Sequence, residues 1–169
     1  MKLVLIFSAI ILGAVATFFV FVLIRISKGP GSYPYVSSGT LLTKSELRFY
    51  SVFRKVLPDG YMICPKVRME DIIQVKGGLA NKDRMSWRGR IKSRHLDFVV
   101  CSTSDARIFF CIELDDSSHN RSDRQERDIF VNKAMQDAGV PLLRVLTSRS
   151  YSKDSMASLF QRGLDSQVF

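Results

Sequence analysis

The fold of this chain is decided by two apolar segments that run into acidic residues, His95-Leu96-Asp97-Phe98-Val99-Val100-Cys101 and Ile108-Phe109-Phe110-Cys111-Ile112-Glu113-Leu114-Asp115-Asp116. Segments this rich in Val, Ile and Phe predict buried β-strands, and a buried strand carries carboxylates only where they have a partner. The turn-rich segment 102–106 separates the two, so the simplest pairing is an antiparallel hairpin.

The register of this hairpin determines which acids share a face. With the turn centred on the middle of segment 102–106, Asp97 lies opposite Cys111 and His95 lies opposite Glu113. Because side chains two apart on a strand share a face, Asp97, Glu113 and Asp115 point the same way. His95 joins that face in this register.

Carboxylates that converge on one face repel one another unless a cation neutralises them. A hard divalent ion, Mg²⁺ or Mn²⁺, is the typical occupant of an all-oxygen site. The acids therefore predict a metal site. The alternative is a row of acids at the wet rim of the sheet, paired with nearby arginines.

A long apolar stretch at the N-terminus predicts a membrane anchor over residues 1–26. Leu3 to Ile24 carries no charge, and such a helix spans about 33 Å, enough to cross the hydrocarbon core of a bilayer. Cleavage of a signal peptide after Ala14-Val15-Ala16 would leave an apolar new terminus, so an uncleaved anchor is favoured. More positive charge follows the helix than precedes it, which favours a single pass through the inner membrane with a cytoplasmic C-terminal domain.

Residues 27–40 are rich in Gly, Pro and Ser and predict a flexible linker, so residues 41–169 form one domain. Without Lys2 the chain has 24 basic and 16 acidic residues, a net charge of +8. That excess suits a polyanion, either nucleic acid or an anionic lipid surface. The three cysteines lie in apolar segments without a CxxC pair, as is typical of core thiols in a reducing compartment.

The order of predicted elements is αβ(α)ββαβα, an α/β domain with a mixed sheet between helices. Pro65 indicates that the first strand is an edge or carries a bulge. A basic segment without an assigned element runs from Leu79 to Arg94. Outside the hairpin, the predicted helices and strands cover 43–57, 61–67, 69–75, 122–138, 142–146 and 150–162.

Three more residues are candidates for chemistry. Glu46 completes a capping box with Thr43, and it also begins the inward stripe of its helix, from which it can reach the sheet edge. Arg127 shares a helical face with Val131 and leans towards the sheet, where it neutralises acids or holds a phosphate. His119, on a polar loop just after the acids, is a proton carrier, an extra ligand or an ordinary loop histidine.

A basic strip runs from Lys82 to Arg94, where six of thirteen residues are Lys or Arg and only Asp83 opposes them. Basic side chains around one aromatic ring suit phosphates and a stacked base. The alternative is a solvated helix whose tryptophan packs onto the core. Beside a metal site we favour nucleic-acid binding through Lys82, Arg84, Trp87, Arg88, Arg90, Lys92 and Arg94.

From about residue 42 to 146 the pattern resembles the PD-(D/E)xK nuclease superfamily and, more specifically, a bacterial family, domain of unknown function 2726, on the branch of the very-short-patch repair endonuclease. That superfamily has an αβββαβ core with an acid on the second strand and an acid pair on the third. The resemblance implies that Asp97 is the second-strand acid, Glu113 the first third-strand acid and Glu46 the helix acid. The segment Glu113-Leu114-Asp115-Asp116-Ser117-Ser118-His119 matches the acid-x-acid…His signature of the branch.

One position departs from the superfamily. Its usual lysine, two residues after the third-strand acid, is Asp115 here, and an aspartate cannot stabilise developing negative charge. Either Asp115 is a further metal ligand and His119 or Arg127 takes over the work of the lysine, or the fold is kept and catalysis is lost. The implied ligands of the metal are Asp97, Glu113, the Leu114 carbonyl and Asp115.

The resemblance thus implies a restriction-endonuclease-like fold and a membrane-anchored nuclease that hydrolyses phosphodiester bonds with Mg²⁺ or Mn²⁺. The expected partner is nucleic acid, DNA in preference to RNA, with no small-molecule cofactor. One alternative is an inactive module that binds nucleic acid through the basic strip without metal. The other is an adaptor whose positive charge faces anionic lipid.

Overall fold

The computed structural model of the chain describes residues 2–27, 32–115 and 122–166. The chain divides into two units, residues 1–39 and 40–169. The first unit contains helix α1, Lys2–Ser27. Its segment Ile6–Ile26, with a mean hydropathy of 2.7, is long and apolar enough to cross a membrane, a property that signal sequences share.

The second unit is built on one mixed four-stranded sheet, which confirms the predicted architecture. Its strands lie in the order β1-β2-β3-β4. The first two pairs are antiparallel and the last is parallel. Pro65 lies on an edge strand, as predicted. The strands are β1 Tyr61–Arg68, β2 His95–Ser102, β3 Ile108–Asp115 and β4 Leu142–Leu146.

Among the residues that the structure describes in the second unit, five helices accompany this sheet. The basic segment, for which the sequence predicted no element, contains a helix, α4, in which Ile91 alone is buried. Two other helices are shorter than predicted: α2 ends at Phe53 and α3 at Ile72. The bounds are α2 Lys44–Phe53, α3 Met69–Ile72, α4 Asn81–Ile91, α5 Ser122–Asp137 and α6 Lys153–Asp165.

Both faces of the central strands are buried, as the continuous apolar segments predicted. On one face, Phe98 and Phe110 pack with residues of α2 and α6. On the other face, Val99 and Cys111 pack with residues of α3, α4 and α5. The sheet is therefore held between two helical layers.

The predicted register of the hairpin is wrong by two residues. Phe98 pairs with Ile112. Extended by one residue, this register places Asp97 opposite Glu113 instead of opposite Cys111. The difference arises because the loop comprises residues 103–107 instead of 102–106 and because the pairing shifts at a bulge between Val100 and Cys101. A shift of two residues keeps each side chain on its face, so the predicted shared face of Asp97 and Glu113 is retained.

Close packing between α6 and the sheet gives a first testable prediction. A Cβ at Gly163 would overlap the ring of Phe110, which is fully buried. Gly163→Ala should therefore lower the free energy of unfolding by about 1–3 kcal/mol in urea denaturation. The control is Gly89→Ala on α4, where a Cβ meets open space; it should stabilise the helix by about 0.5–1 kcal/mol. Equal effects of the two substitutions would contradict this packing.

Candidate functional site at the sheet edge

A pair of carboxylates, Asp97 on β2 and Glu113 on β3, forms the centre of the site. The Leu114 N–H donates to Asp97 Oδ2 at 2.9 Å, which fixes one oxygen of that carboxylate. Burial, and then the adjacent charge of Asp97, raise the pKa of Glu113 to about 8. At neutral pH without a cation, Glu113 therefore holds a proton, as expected when two acids share one site.

Lys66 on β1 joins this pair, and sequence reasoning missed it. Its Nζ donates to Glu46 Oε1 at 2.6 Å and to Asp97 Oδ1 at 3.0 Å. Burial by itself lowers the pKa of Lys66, but the hydrogen bonds to Glu46 and Asp97 outweigh it and hold the pKa above its usual value. The ammonium group is therefore charged and links the helix acid to the strand acid.

The backbone of Lys66 is unusual. Its φ is +55°, a left-handed conformation that side chains other than glycine rarely adopt. The β1–β2 pairing runs from Tyr61 to Pro65 and resumes at Val67, leaving Lys66 without a paired residue. The strand is thus locally irregular at the residue that reaches the acids. The only local signal in the sequence was the proline just before it.

Glu46 has both of the roles that the sequence suggested. Its side chain accepts from the Thr43 N–H at 2.9 Å, and the Thr43 hydroxyl accepts from the Glu46 N–H at 3.3 Å, which completes the capping box. Its other oxygen binds Lys66. Because the cap immobilises Glu46, it also fixes the position of the lysine ammonium.

Asp115 is engaged elsewhere, although it lies on the predicted face. Arg144 on β4 donates to Asp115 Oδ1 at 2.7 Å, and it also bonds Asp128 at 3.1 Å and Asn132 at 3.0 Å. In the parallel β3–β4 pair, Arg144 is the partner of Glu113. The arginine thus holds Asp115 in an ion-pair network beside the central acids.

The donor set suits a hard divalent ion held by few protein ligands. Among residues 2–27, 32–115 and 122–166, no cluster of three or more His, Cys, Asp or Glu side chains could hold a metal. Asp97 and Glu113 nevertheless form a carboxylate pair whose repulsion a cation would relieve. Mg²⁺ is commonly bound by one or two carboxylates, with water and substrate phosphate completing its shell. The carboxylate pair fits such an ion.

A basic cavity of about 470 Å³ opens beside these acids, and Lys66 and Asp97 line it together with Arg90, Arg94 and Arg127. Arg94 is half-buried, and burial followed by the charges of Arg127 and Arg90 lowers its pKa. Across the described residues, these three arginines form no ion pair with a carboxylate. A group of mutually repelling cations in one cavity is suited to binding an anion.

Arg127 and His95 lie at the rim of this cavity. Arg127 is exposed, but it lies close enough to the acids for its charge to lower the pKa of Glu113. It lies one turn before the buried Val131, so the stripe extends past the sheet into the cavity. His95 is exposed and its backbone pairs with Arg68. His119 lies outside the described residues.

The members of the predicted basic strip diverge in their surroundings. Arg90 and Arg94 line the cavity, whereas Arg88 donates to Glu70 at 3.0 Å. Trp87 is 48% exposed, and the Arg90 guanidinium lies 5.0 Å from its ring centre. The tryptophan therefore does not pack into the core. The other strip members, Lys82, Arg84 and Lys92, are exposed and do not line the cavity.

These features define an α/β protein with a carboxylate pair and a lysine beside a basic cavity. The chain belongs to the family described as "Protein of unknown function (DUF2726)", which matches residues 38–162. This confirms the family predicted from the sequence. No curated protein and no solved structure matches the chain.

Proposed function

We propose that this protein is a membrane-anchored, divalent-metal-dependent nuclease of the PD-(D/E)xK superfamily. The observation that carries the proposal is the position of the Asp97–Glu113 pair beside the cavity lined by Arg90, Arg94 and Arg127. A phosphodiester substrate needs both features, since arginines bind its phosphates and paired acids hold a cation at the scissile bond. The strand order and the placement of the acids on β2 and β3 support the restriction-endonuclease-like fold.

Each residue of the site has a part in this scheme. Asp97, Glu113 and the Leu114 carbonyl would hold Mg²⁺ or Mn²⁺. When bound, the metal supplies a water of lowered pKa and neutralises charge on the phosphate. Arg127, exposed at the rim of the cavity, is free to meet the phosphate bidentately. His119, in keeping with the family signature, would carry a proton.

The substrate we propose is nucleic acid, with DNA favoured over RNA, approached from the cytoplasmic side of the inner membrane. The hydropathy of Ile6–Ile26 supports the anchor, and the basic residues that follow it support the orientation. The net charge of +9 favours encounter with a polyanion.

A second candidate is a nucleic-acid-binding module without catalysis. The observation that favours it is Lys66, which already neutralises Asp97 without any metal. Such a module would use the same cavity. Its binding would weaken with salt but would be insensitive to chelation of divalent ions.

Substitution of the cavity arginines tests both candidates. In full-length protein in detergent, Arg90→Gln with Arg94→Gln should weaken binding to DNA duplexes and single strands about tenfold in EDTA. The slope of log Kd against log salt should fall by about 2, because two phosphate contacts are lost. Fluorescence anisotropy measures both quantities. Arg162→Gln, at an exposed position of α6, is the matched control and should bind like the wild type.

Cleavage decides between the two candidates. With Mn²⁺ present, the wild type should cut a member of a DNA and RNA panel, and EDTA should stop the reaction. Salt-dependent binding without cleavage of any substrate would establish the binding module instead. Affinity that is unchanged in the double variant would remove the cavity from both schemes.

A further inference from the structure

We propose that Lys66 is a catalytic residue of this site, whose ammonium group contacts the phosphate undergoing cleavage. The inference rests on the proposed function and deepens it. Where the superfamily usually has a lysine, this chain has Asp115. Lys66, on the edge strand β1, would supply that positive charge instead. Three independent features of Lys66 lead to this assignment.

The first feature is location. Lys66 lines the same cavity as the three arginines, and its Nζ touches Asp97 Oδ1 at 3.0 Å. It thus lies where the carboxylate pair meets the phosphate-binding cavity. A phosphate held by the arginines with its phosphorus near the acids comes within reach of this ammonium group.

The second feature is hydrogen-bonding capacity. An ammonium group has three N–H donors, and Lys66 uses two of them on Glu46 and Asp97. Among the described residues, no acceptor for the third is present. The side chain is 28% exposed, so the remaining donor has access to the cavity and to a non-bridging phosphate oxygen.

The third feature is backbone strain. Left-handed φ at a residue other than glycine costs free energy and persists where the surroundings enforce it, commonly at functional sites. Here it occurs within a strand, at the residue that lies between Pro65 and Val67 in the ladder. A lysine needed only as a surface counter-ion would not require an irregular backbone.

Lys66 performs its part without changing its protonation state. In hydrolysis, the oxygen of a water forms a bond to phosphorus, and the P–O bond to the leaving sugar oxygen breaks with its electron pair on that oxygen. Of the two water protons, one ends on the leaving oxygen and the other on the product phosphate or in solvent. The Lys66 ammonium donates to the phosphate oxygens while their charge grows, a role that Asp115, paired with Arg144, cannot fill.

The test compares Lys66→Met and Lys66→Arg with Lys133→Met in the full-length protein. Lys133→Met removes an ion pair of 2.6 Å with Asp137 between two exposed side chains of α5, so it controls for loss of charge and pairing. The readouts are kcat and KM for cleavage of a DNA substrate with Mn²⁺, Mn²⁺ affinity by calorimetry, DNA affinity in EDTA, and the unfolding midpoint.

We expect Lys66→Met to lower kcat about 10²–10³-fold with KM and DNA affinity changed less than about threefold. Mn²⁺ affinity should stay the same or tighten, because a competing cation has been removed. Lys66→Arg keeps the charge and should fold, but its planar guanidinium should recover only part of kcat. Lys133→Met should match the wild type in every readout.

Two outcomes would overturn the proposal. A purely structural lysine predicts full activity in Lys66→Arg, and this variant decides the matter if Lys66→Met fails to fold. A folded Lys66→Met with kcat within threefold of wild type would also refute it. Absence of cleavage by the wild type on every substrate would instead refute the proposed function, and the catalytic role of Lys66 with it.

Discussion

Glu113→Gln should reduce metal-dependent cleavage by at least about 10³-fold, yet make the metal-free protein more stable than the wild type at pH 7. Burial and Asp97 raise the pKa of Glu113 to about 8, so at pH 7 the folded wild type must take up a proton that its unfolded chain has released, whereas glutamine, nearly isosteric with the neutral acid, needs no proton. A cation, however, needs the ionised carboxylate. Single-turnover cleavage and urea unfolding at pH 7 measure the two halves of this result.

The partner acid should behave differently. Asp97 accepts from Lys66 and from the Leu114 N–H, so Asp97→Ala should abolish cleavage and also cost about 1–3 kcal/mol of stability through unpaired donors. Glu126→Gln, on the exposed face of α5, is the matched control for loss of a carboxylate and should cleave at the wild-type rate. Cleavage that persists in both Asp97→Ala and Glu113→Gln would exclude the carboxylate pair from the mechanism.

The sheet could be predicted because its signals are local and redundant. The apolar segments of β2 and β3 are continuous, whereas a strand with one face in solvent alternates apolar and polar residues. Burial of both faces could therefore be predicted directly. The capping box of Thr43 and Glu46 is encoded within four residues. The helix α4 was missed because its polar sequence has no apolar face to indicate helical periodicity; only Ile91 is buried.

The register and the lysine were missed for a common reason. Ala106 and Lys66 both have positive φ, at +56° and +55°, and neither is a glycine that would have indicated such a conformation. Ala106 lies in the loop of the hairpin, and Lys66 interrupts the ladder of β1. Both conformations depend on tertiary context, which composition does not contain.

The ion pair of Asp115 shows that strand alternation alone does not locate a functional site. Alternation placed it correctly on the face of Glu113, but it is paired with Arg144, 29 residues away in the chain. The crossover connection through α5 places β4 beside β3, and no local sequence pattern identifies β4 as the neighbour. Two of the three acids predicted to converge therefore form the centre of the site, and the third belongs to an arginine network.

The stability of the metal-free protein should fall as pH rises from about 4.5 to about 8. In this window the folded chain keeps the proton of Glu113, which the unfolded chain has released above its ordinary pKa of 4.5. The folded state then binds more protons than the unfolded state, so the free energy of unfolding decreases, by at most about 1.4 kcal/mol per pH unit. The groups acting on Glu113 are Asp97, which raises its pKa, and Arg144 and Arg127, which lower it.

Thermal or urea unfolding at half-unit pH steps measures this slope, with and without Mn²⁺. A concentration of about 1 mM matches the weakest dissociation constants known for carboxylate sites of this kind. A bound cation keeps Glu113 ionised in the folded state, so Mn²⁺ should raise the midpoint most at pH 8 and remove this contribution to the slope. In Glu113→Gln the same contribution should be absent with or without Mn²⁺, because glutamine does not titrate. An identical pH slope in wild type and Glu113→Gln would mean that Glu113 is ionised in the folded protein. Its repulsion with Asp97 would then not be strong enough to call for a metal.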